Sequence, residues 1–594
     1  MSRNNIDKVR KYLDESFDSS DFSDQDDSDV DPDFSLPSTR QDSSPRAGPS
    51  HTFTNTESDT SNESFEVSSS DNDDYNNANN NDDDDQWYEN WEDIPDFQFD
   101  NSMSGIKLNI PDSAKKNPLQ IFEMLWTREI TDMVVSSTNN YGVKLTSQIR
   151  PHKKHCRAAE FKKVDAEEIY KFLAICLLSG SVKFSVIRDM FSYNPLYYHP
   201  IISRTMSGRR FEQILRCFSV EYNDPEKVNS TKYDPIKKIE PIFKKLINNF
   251  QLAYIPYECL SLDESLLLHR GRLLFRQYMR LKKARYGIKF FELCTPDGFV
   301  LNMEMYKGKR EEIQVGSTSK INSLVFRILE AFLDKGHTVF MDNYYNSISL
   351  SKELLHRKTH TTGTLRSNRK GNPKCVTTKK LKSGDYIWRR QGKIYVSKWK
   401  DKRDVLAITT KYQPQLLSSK NRFGNEKKKP NEIIEYNNNM SGIDRSDQMV
   451  KYYSSPRKQS RWYKKVLFHL LDITVWNSFY IYKKHFGCDS MTFKEFRDIL
   501  IKNMINLPID LTANQIFNAP KPKDPKNKRP MPEEGQHYQE KIPLPPLYKR
   551  KHYFKNCKIC TKKNVRKQTQ YQCKVCNVPL CPGSCFEDFH KNML

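Results

Sequence analysis

The chain has no long apolar run. Its longest hydrophobic stretch is the short one around Phe172–Leu178, far below the roughly 18 consecutive apolar residues that raise the prospect of a membrane-spanning helix. The N-terminus lacks a charged-then-apolar leader, so an intracellular chain with no membrane segment is expected. A Gly-x-x-x-x-Gly-Lys-Ser/Thr loop is missing, and with it the expectation of a nucleotide cofactor. Internal repeats are missing too, so 594 residues read as several unlike domains rather than an array. Cysteine is thinly spread at first: seven of the thirteen lie scattered ahead of residue 500, which is not the pattern of a disulfide scaffold.

What is present is charge, unevenly placed. Residues 1–100 hold 28 Asp and Glu against 6 Lys and Arg, a local net of −22, and since the whole chain carries +22 the remainder carries +44. A body that basic fits a polyanionic partner, because cations laid against phosphates release condensed counterions. Nucleic acid is the expected partner. The acidic stretch is rich in Ser, Asp and Asn, with an unbroken Asp82–Asp85 run. It has too little apolar surface to offset the entropy of ordering, and residues 1–117 are read as a disordered tail. Its Ser20-Asp21, Ser23-Asp24 and Ser28-Asp29 pairs resemble acidic-kinase sites.

From about Pro118 the composition becomes globular. Asp165 with Glu168 gives a capping-box-like start to a helix through Ile169, Phe172, Leu173 and Cys176, and residues 118–257 read as mostly helical. Strand-like runs follow at Cys259–Leu268, Gly287–Cys294 and Phe299–Tyr306, divided by turn signals. Ile321, Leu324, Val325, Ile328, Leu329 and Phe332 then keep helical spacing up to Gly336. A fourth strand at His337–Met341, a helix around Leu350–His356 and a fifth strand near Thr361–Leu365 complete the series β-β-β-α-β-α-β. That order belongs to an α/β fold with an RNase H-like core. Residues 373–430 read as a β-rich insertion, with Tyr386, Trp388, Ile394, Val396 and Trp399 as strand formers. Helical signal returns at Asp444–Tyr453 and at Tyr463–Tyr482, the latter apolar nearly all round and so expected to be buried. Residues 519–552 read as a basic, Pro-rich linker.

The chemistry-bearing residues are acids in a particular order. Asp263 lies on the first strand within SLDESLLLHRGR, and Asp342 follows the fourth within HTVFMDNYYNS. In an RNase H-like sheet those two strands are neighbours. Asp444 and Asp447, in MSGIDRSDQM, share one helix face at i and i+3. Singly, each acid is also what a turn, a cap or a solvated helix face would show. Together they fit a site for hard divalent cations, Mg²⁺ or Mn²⁺, which prefer carboxylate and water ligands. Such ions serve in-line attack at phosphorus.

These stretches, with ARYGIKFFELC at Ala284–Cys294, GTLRSNRKGNP at Gly363–Pro373 and RKQSRWYKK at Arg457–Lys465, resemble the piggyBac transposase family over about residues 118–594. The resemblance implies a nuclear, dimeric, cut-and-paste DNA transposase acting on double-stranded DNA. Such an enzyme cleaves the terminal inverted repeats of its element through a hairpin intermediate and joins the ends to TTAA target DNA. It places catalytic, metal-holding roles on Asp263, Asp342 and Asp444, with Asp447 as an additional acid. The core then comprises residues 258–372 and 431–456, and the flanking helical segments 118–257 and 457–518 form a dimerisation and DNA-binding domain. A domesticated, DNA-binding chromatin protein without strand transfer is the alternative.

Arg366, Arg369 and Lys370 follow the fifth strand and suit phosphate contacts, or form a charged exit loop. Arg457, Lys458, Arg461 and Trp462 suit an unstacked base beside phosphates, although Trp462 fits a core anchor equally well. At the C-terminus, residues 553–594, Cys557-x-x-Cys560 and Cys573-x-x-Cys576 precede Cys581, Cys585 and His590. This is zinc-ligand spacing. On the two-zinc cross-brace that the family implies, Cys557, Cys560, Cys581 and Cys585 share one Zn²⁺ and Cys573, Cys576 and His590 hold the other, with His552 or Asp588 as the eighth ligand. Ubiquitin ligases and histone readers use similar modules, but Lys549–Lys551, Lys562-Lys563 and Arg566-Lys567 favour DNA and, with Lys521–Arg529, resemble nuclear localisation signals.

Overall fold

The computed structural model describes residues 86–147, 161–220, 236–280, 282, 284–308, 319–420, 424, 426–455, 461–488, 490–507, 537–545 and 552–591. The Ser-Asp pairs of the tail, Arg457, Lys458, Lys521–Arg529 and Lys549–Lys551 lie outside the described residues.

The first folded block is helical: α1 (Leu119–Leu125), α2 (Arg128–Thr146), α3 (Ala166–Ser181), α4 (Gly208–Cys217) and α5 (Glu240–Ala253). Asp165 caps α3 by accepting from the Glu168 N–H at 2.8 Å. The reciprocal half of a capping box is not made, because both Glu168 oxygens take the Arg210 guanidinium on α4 at 2.6 Å.

The core strands are β1 (Cys259–Leu268), β2 (Gln277–Tyr278), β3 (Tyr286–Cys294) and β4 (Val300–Met305), then, after α6 (Lys320–Leu329), β5 (Thr338–Met341), α7 (Ile348–His356) and β6 (His360–Thr364). β1, β3 and β4 form an antiparallel meander, whereas β5 and β6 run parallel to β1. β5 is buried at every position, as a parallel strand covered on both faces should be.

The insertion contributes β7 (Tyr386–Gln391), β8 (Ile394–Lys400) and β9 (Asp404–Thr409). These strands do not form a sheet of their own. β9 pairs antiparallel with β6, giving one nine-stranded sheet in the order β2-β3-β1-β5-β6-β9-β8-β7, with β4 on β3. Among the described strands of the insertion, β10 (Leu416–Lys420) and β11 (Glu426–Pro430) stand apart, as a two-stranded ribbon.

The chain returns through α8 (Asn431–Asn439) and α9 (Gly442–Tyr452) to α10 (Trp462–Phe486) and α11 (Phe493–Met504). α10 is buried on all sides, as its sequence predicts, and packs against α1, α5, α9 and α11. Several of its buried polar groups are matched to specific partners. The Asn477 amide donates to the Val300 carbonyl at 2.9 Å and accepts from the Val300 N–H at 3.0 Å, while Trp476 Nε1 donates to the Gly298 carbonyl at 2.6 Å. Buried Asp472 accepts from the Ser455 hydroxyl at 2.6 Å and lies 3.8 Å from Arg497. No described helix is long and apolar enough to cross a membrane.

One assignment needs correction. Residues 86–117 are not part of a disordered tail: Gln86–Asp100 is a strap across the outer edge of the insertion. Tyr88 exchanges backbone hydrogen bonds with Arg390 on β7 at 2.9 and 3.0 Å. Glu92 pairs with Arg390 at 2.6 Å and Lys393 at 2.7 Å, and Trp91 lies 4.8 Å from the Tyr395 ring. Further on, Phe97 stacks on His360 at 4.5 Å and its carbonyl crosses so near Gly336 that a Cβ there would collide with it. The acidic composition concealed five aromatics, Trp87, Tyr88, Trp91, Phe97 and Phe99, that hold the strap down.

Candidate active site and metal module

The register of β1 against β5, from Cys259↔Thr338 to Leu262↔Met341, carries Asp263 and Asp342 side by side, one position past the last pair. Asp342 also has the local role its position allows: its Oδ1 accepts from the Tyr344 N–H at 2.8 Å. The turn is locked by buried Asn346, whose amide nitrogen donates to the Met341 carbonyl at 2.9 Å and the Thr364 carbonyl at 3.0 Å. α9 then crosses the β1–β3 face. Gly442 permits the approach, since a Cβ there would strike the Thr295 carbonyl. The Ser261 hydroxyl secures the preceding turn by donating to the Asn439 carbonyl at 2.7 Å. Exposed Asp444 and half-buried Asp447 lie one turn apart on α9.

The structure adds an acid that the sequence reading missed. Glu292 on β3 is the direct cross-strand partner of Asp263. It is 3% exposed and accepts a short hydrogen bond from the Ser265 hydroxyl. Burial raises both carboxyls to about 7, with Glu264 and then Asp342 adding to the rise at Asp263 and Asp447 adding to that at Glu292. Asp342 is raised by burial and Glu264, against the Tyr344 N–H and Arg366. Asp447 is raised by burial and Asp444, against Lys451, with which it forms a salt bridge. Tyr436 on α8 is pushed up to about 12 by burial and then by Asp342, Asp263 and Asp444, so one phenol feels three of the four expected acids. The carboxylates thus share one electrostatic neighbourhood. Among the described residues, however, ligand atoms from three or more residues close to within 4.8 Å of one another only in two C-terminal sets.

Those two sets form around short strands β12 (Gln539–Lys541), β13 (Lys555–Asn556), β14 (Gln568–Thr569) and β15 (Tyr571–Cys573) and helices α12 (Lys558–Lys562) and α13 (Ser584–Lys591). One comprises Cys557, Cys560, Cys581 and Cys585; the other comprises Cys573, Cys576, His590 and His537. Sulfur separations of 4.0 Å for Cys560–Cys581 and 3.6 Å for Cys560–Cys585 bracket the roughly 3.8 Å edge of a tetrahedron with 2.3 Å metal–sulfur bonds. In the second set His537 Nδ1 is 3.5 Å from Cys573 Sγ and 3.2 Å from Cys576 Sγ, and His590 Nε2 is 3.7 Å from Cys576 Sγ. The other His590 nitrogen lies 2.8 Å from the Phe586 carbonyl, the hydrogen bond that commonly orients a metal-binding imidazole. Burial opposes ionisation of Cys557, yet the N–H groups of Cys560 and Cys581 bring its thiol down to about 7.

Neither His552 nor Asp588 completes the second set: His552 packs against Phe554, and Asp588 pairs with Lys563 at 3.2 Å. His537 was missed because it lies inside the stretch read as linker. The pairing of β12 with β15, Gln539↔Cys573, brings it back beside the knuckle.

The residues expected to touch DNA divide. Arg366 and Lys370 are exposed, and Arg366 Nε donates to Asn343 Oδ1 at 3.2 Å beside Asp342. Arg369 is half-buried and donates to the Tyr344 carbonyl, bracing the same loop. Arg461 faces inward, donating to the Tyr141 hydroxyl at 3.2 Å and the Arg216 carbonyl at 3.5 Å. Trp462 packs edge-on against buried Phe275 at 5.2 Å, which is the geometry of a core anchor.

Residues 117–479 match the family model described as Transposase IS4. The human PiggyBac transposable element-derived protein 3 is 27% identical over 405 residues, 65% of this chain and 64% of that protein. The human PiggyBac transposable element-derived protein 2 is 22% identical over 385 residues, 62% of each. The chain therefore spans less than two thirds of the length of these relatives. Among solved structures, the cryo-EM structure of a piggyBac transposase synaptic complex with hairpin DNA matches with a TM-score of 0.58 at 22% identity, over 80% of this chain and 97% of that one. Because the family match covers well over half of its length, the chain belongs to the piggyBac-type transposase family.

Proposed function

We propose that this chain is a cut-and-paste DNA transposase whose RNase H-like core uses Asp263, Asp342, Asp444 and Asp447 to cleave transposon ends and join them to TTAA target DNA. The observation that carries the reading is the β1–β5 register, with Asp263 beside Asp342 beneath the helix that bears the other two acids. Water attacks the phosphodiester at the transposon end and frees a 3′-hydroxyl. That hydroxyl attacks the opposite strand, displaces the flanking DNA and closes a hairpin. A divalent Mg²⁺ or Mn²⁺ held by the four carboxylates would activate the attacking oxygen and neutralise charge on the leaving one. The chain's own residues organise the site: the Tyr344 N–H orients Asp342, Asn346 locks its turn, and Ser261 tethers the approach to α9. Charged acids raised by burial fit a cation in their midst.

The two C-terminal ligand sets fit Zn²⁺, in a module that positions terminal-repeat DNA. Residues 118–257 and 457–518 serve homodimerisation and DNA binding, and the protein works in the nucleus. A second reading, a domesticated DNA-binding protein, is favoured by one observation: the curated human relatives are element-derived proteins. Excision and reintegration of a marker flanked by the element's own ends separates the two. Seamless excision by the wild type, lost in Asp342→Asn, is the expected result; no excision by a wild type that still binds the ends moves the assignment to the second reading.

A further inference from the structure

Between β1 and β3 the chain runs through residues 269–285, a stretch with seven Lys or Arg and no Asp or Glu. Its two arms meet where β2 joins β3, with Tyr278 opposite Tyr286 at the outer edge of the sheet. The tyrosine rings lie 4.7 Å apart at 45°, and they are 52% and 46% exposed. The Arg276 guanidinium covers the Tyr286 ring at 5.3 Å, and Leu274 beside it is 74% exposed. Arg276, Arg280 and Arg285 are exposed, and none of them forms a salt bridge with a described carboxylate.

An edge strand is commonly protected by charge, which accounts for cations here but not for two half-exposed aromatic rings and an exposed leucine among them. The arm is also firmly rooted. Phe275 is buried against Trp462, Arg276 Nη1 donates to the Arg270 carbonyl at 2.9 Å, and Lys282 Nζ donates to the Glu264 carbonyl, next to Asp263, at 2.8 Å. From Glu292 to Tyr286 is about 20 Å along β3 at 3.4 Å per residue. Exposed aromatic rings among cations that form no salt bridge suit nucleotides whose bases are unstacked, since every base offers a π face and every linkage a phosphate.

We infer that Tyr278 and Tyr286, with Arg276, Arg280 and Arg285, form a holding surface for unpaired DNA about 20 Å from the carboxylates. The inference rests on the proposed DNA-processing role, and its test is a binding measurement that needs no cleavage. Full-length protein is titrated against a labelled oligothymidylate of about 16 nucleotides and against a blunt duplex of the same length, with no divalent cation added. Replacing both tyrosines, Tyr278→Ala with Tyr286→Ala, weakens single-strand binding about tenfold or more while duplex binding stays within about twofold. The paired variant Tyr278→Phe with Tyr286→Phe, which keeps the rings, binds like the wild type.

Unchanged single-strand affinity in the alanine variant overturns the inference, as does an equal loss on both probes, which is the signature of a general charge or folding effect. Excision that persists alongside either of those results removes this surface alone. Tyrosine-dependent binding by a protein that never excises removes the proposed reaction and leaves the surface standing.

Discussion

Glu292→Gln isolates the electrostatic strain at the acid cluster. The folded pKa is about 7 against an ordinary 4.5. Between those values the folded protein holds a proton that the unfolded chain has released, so folding is relatively favoured at low pH and loses ground as pH rises toward the folded pKa. A gap of about 2.5 units corresponds to about 3 kcal/mol at 1.36 kcal/mol per unit, of which roughly 2.5 kcal/mol develops between pH 5 and pH 8. Glutamine keeps the shape and an acceptor for Ser265 but does not ionise. Without added divalent cation, chemical denaturation should therefore find the variant relatively more stable at pH 8 than at pH 5, by that amount, when each is referenced to wild type. Added Mg²⁺ should narrow the gap at pH 8 by stabilising the wild type more than the variant. A wild-type-minus-variant difference that is flat from pH 5 to pH 8 would refute the argument, because it would mean that Glu292 ionises inside the fold as readily as outside it.

Replacing His537 with alanine should lower zinc content by elemental analysis from two ions per chain to one, whereas His552→Ala should keep both; loss of zinc in the latter alone would return the eighth ligand to His552. Asn346→Ala removes two hydrogen bonds inside a buried turn and should destabilise the core by about 1–3 kcal/mol, read as a lower melting temperature. Because the same side chain locks the Asp342 turn, excision should fall further than the folded fraction does.

The elements that carry the four proposed acids were legible in the sequence: a strand run holding Asp263, an apolar run followed by Asp342, and an i, i+3 pair on a helix in Asp444 and Asp447. Glu292 was not, because a single acid inside a nearly continuous apolar strand has no local significance. Only the register opposite Asp263 gives it one. His537 was hidden for the same reason, its partners lying beyond a pairing between residues 539–541 and 571–573. The insertion was recognised as β-rich, but strand propensity does not say which edge a strand will join, and β9 chose β6. In the strap, net charge outweighed Trp87, Trp91, Phe97 and Phe99, although those aromatics bear on the insertion core, β8, β6 and His337 ahead of β5.

The cations around the acids offset their charge only in part. Lys451 pairs with Asp447 and also lowers the pKa of Glu292. Lys282, while donating to the Glu264 carbonyl, lowers those of Asp263, Glu292 and Asp447, yet burial leaves all three acids raised. Lys289 sits three residues from Glu292 on β3, and so on the opposite face of the sheet, between the Phe291 and Tyr344 rings at 4.6 Å from each. Burial lowers its pKa even with three acids in range. Asp263 stands opposite Glu292 in a register held by the apolar burial of β1, β3 and α10, and that burial is the largest cause of the rise at each carboxyl. The fold thus carries the electrostatic penalty in its most deeply packed region. An arrangement of that kind binds a small multivalent cation more tightly the less its own side chains have already relieved the charge.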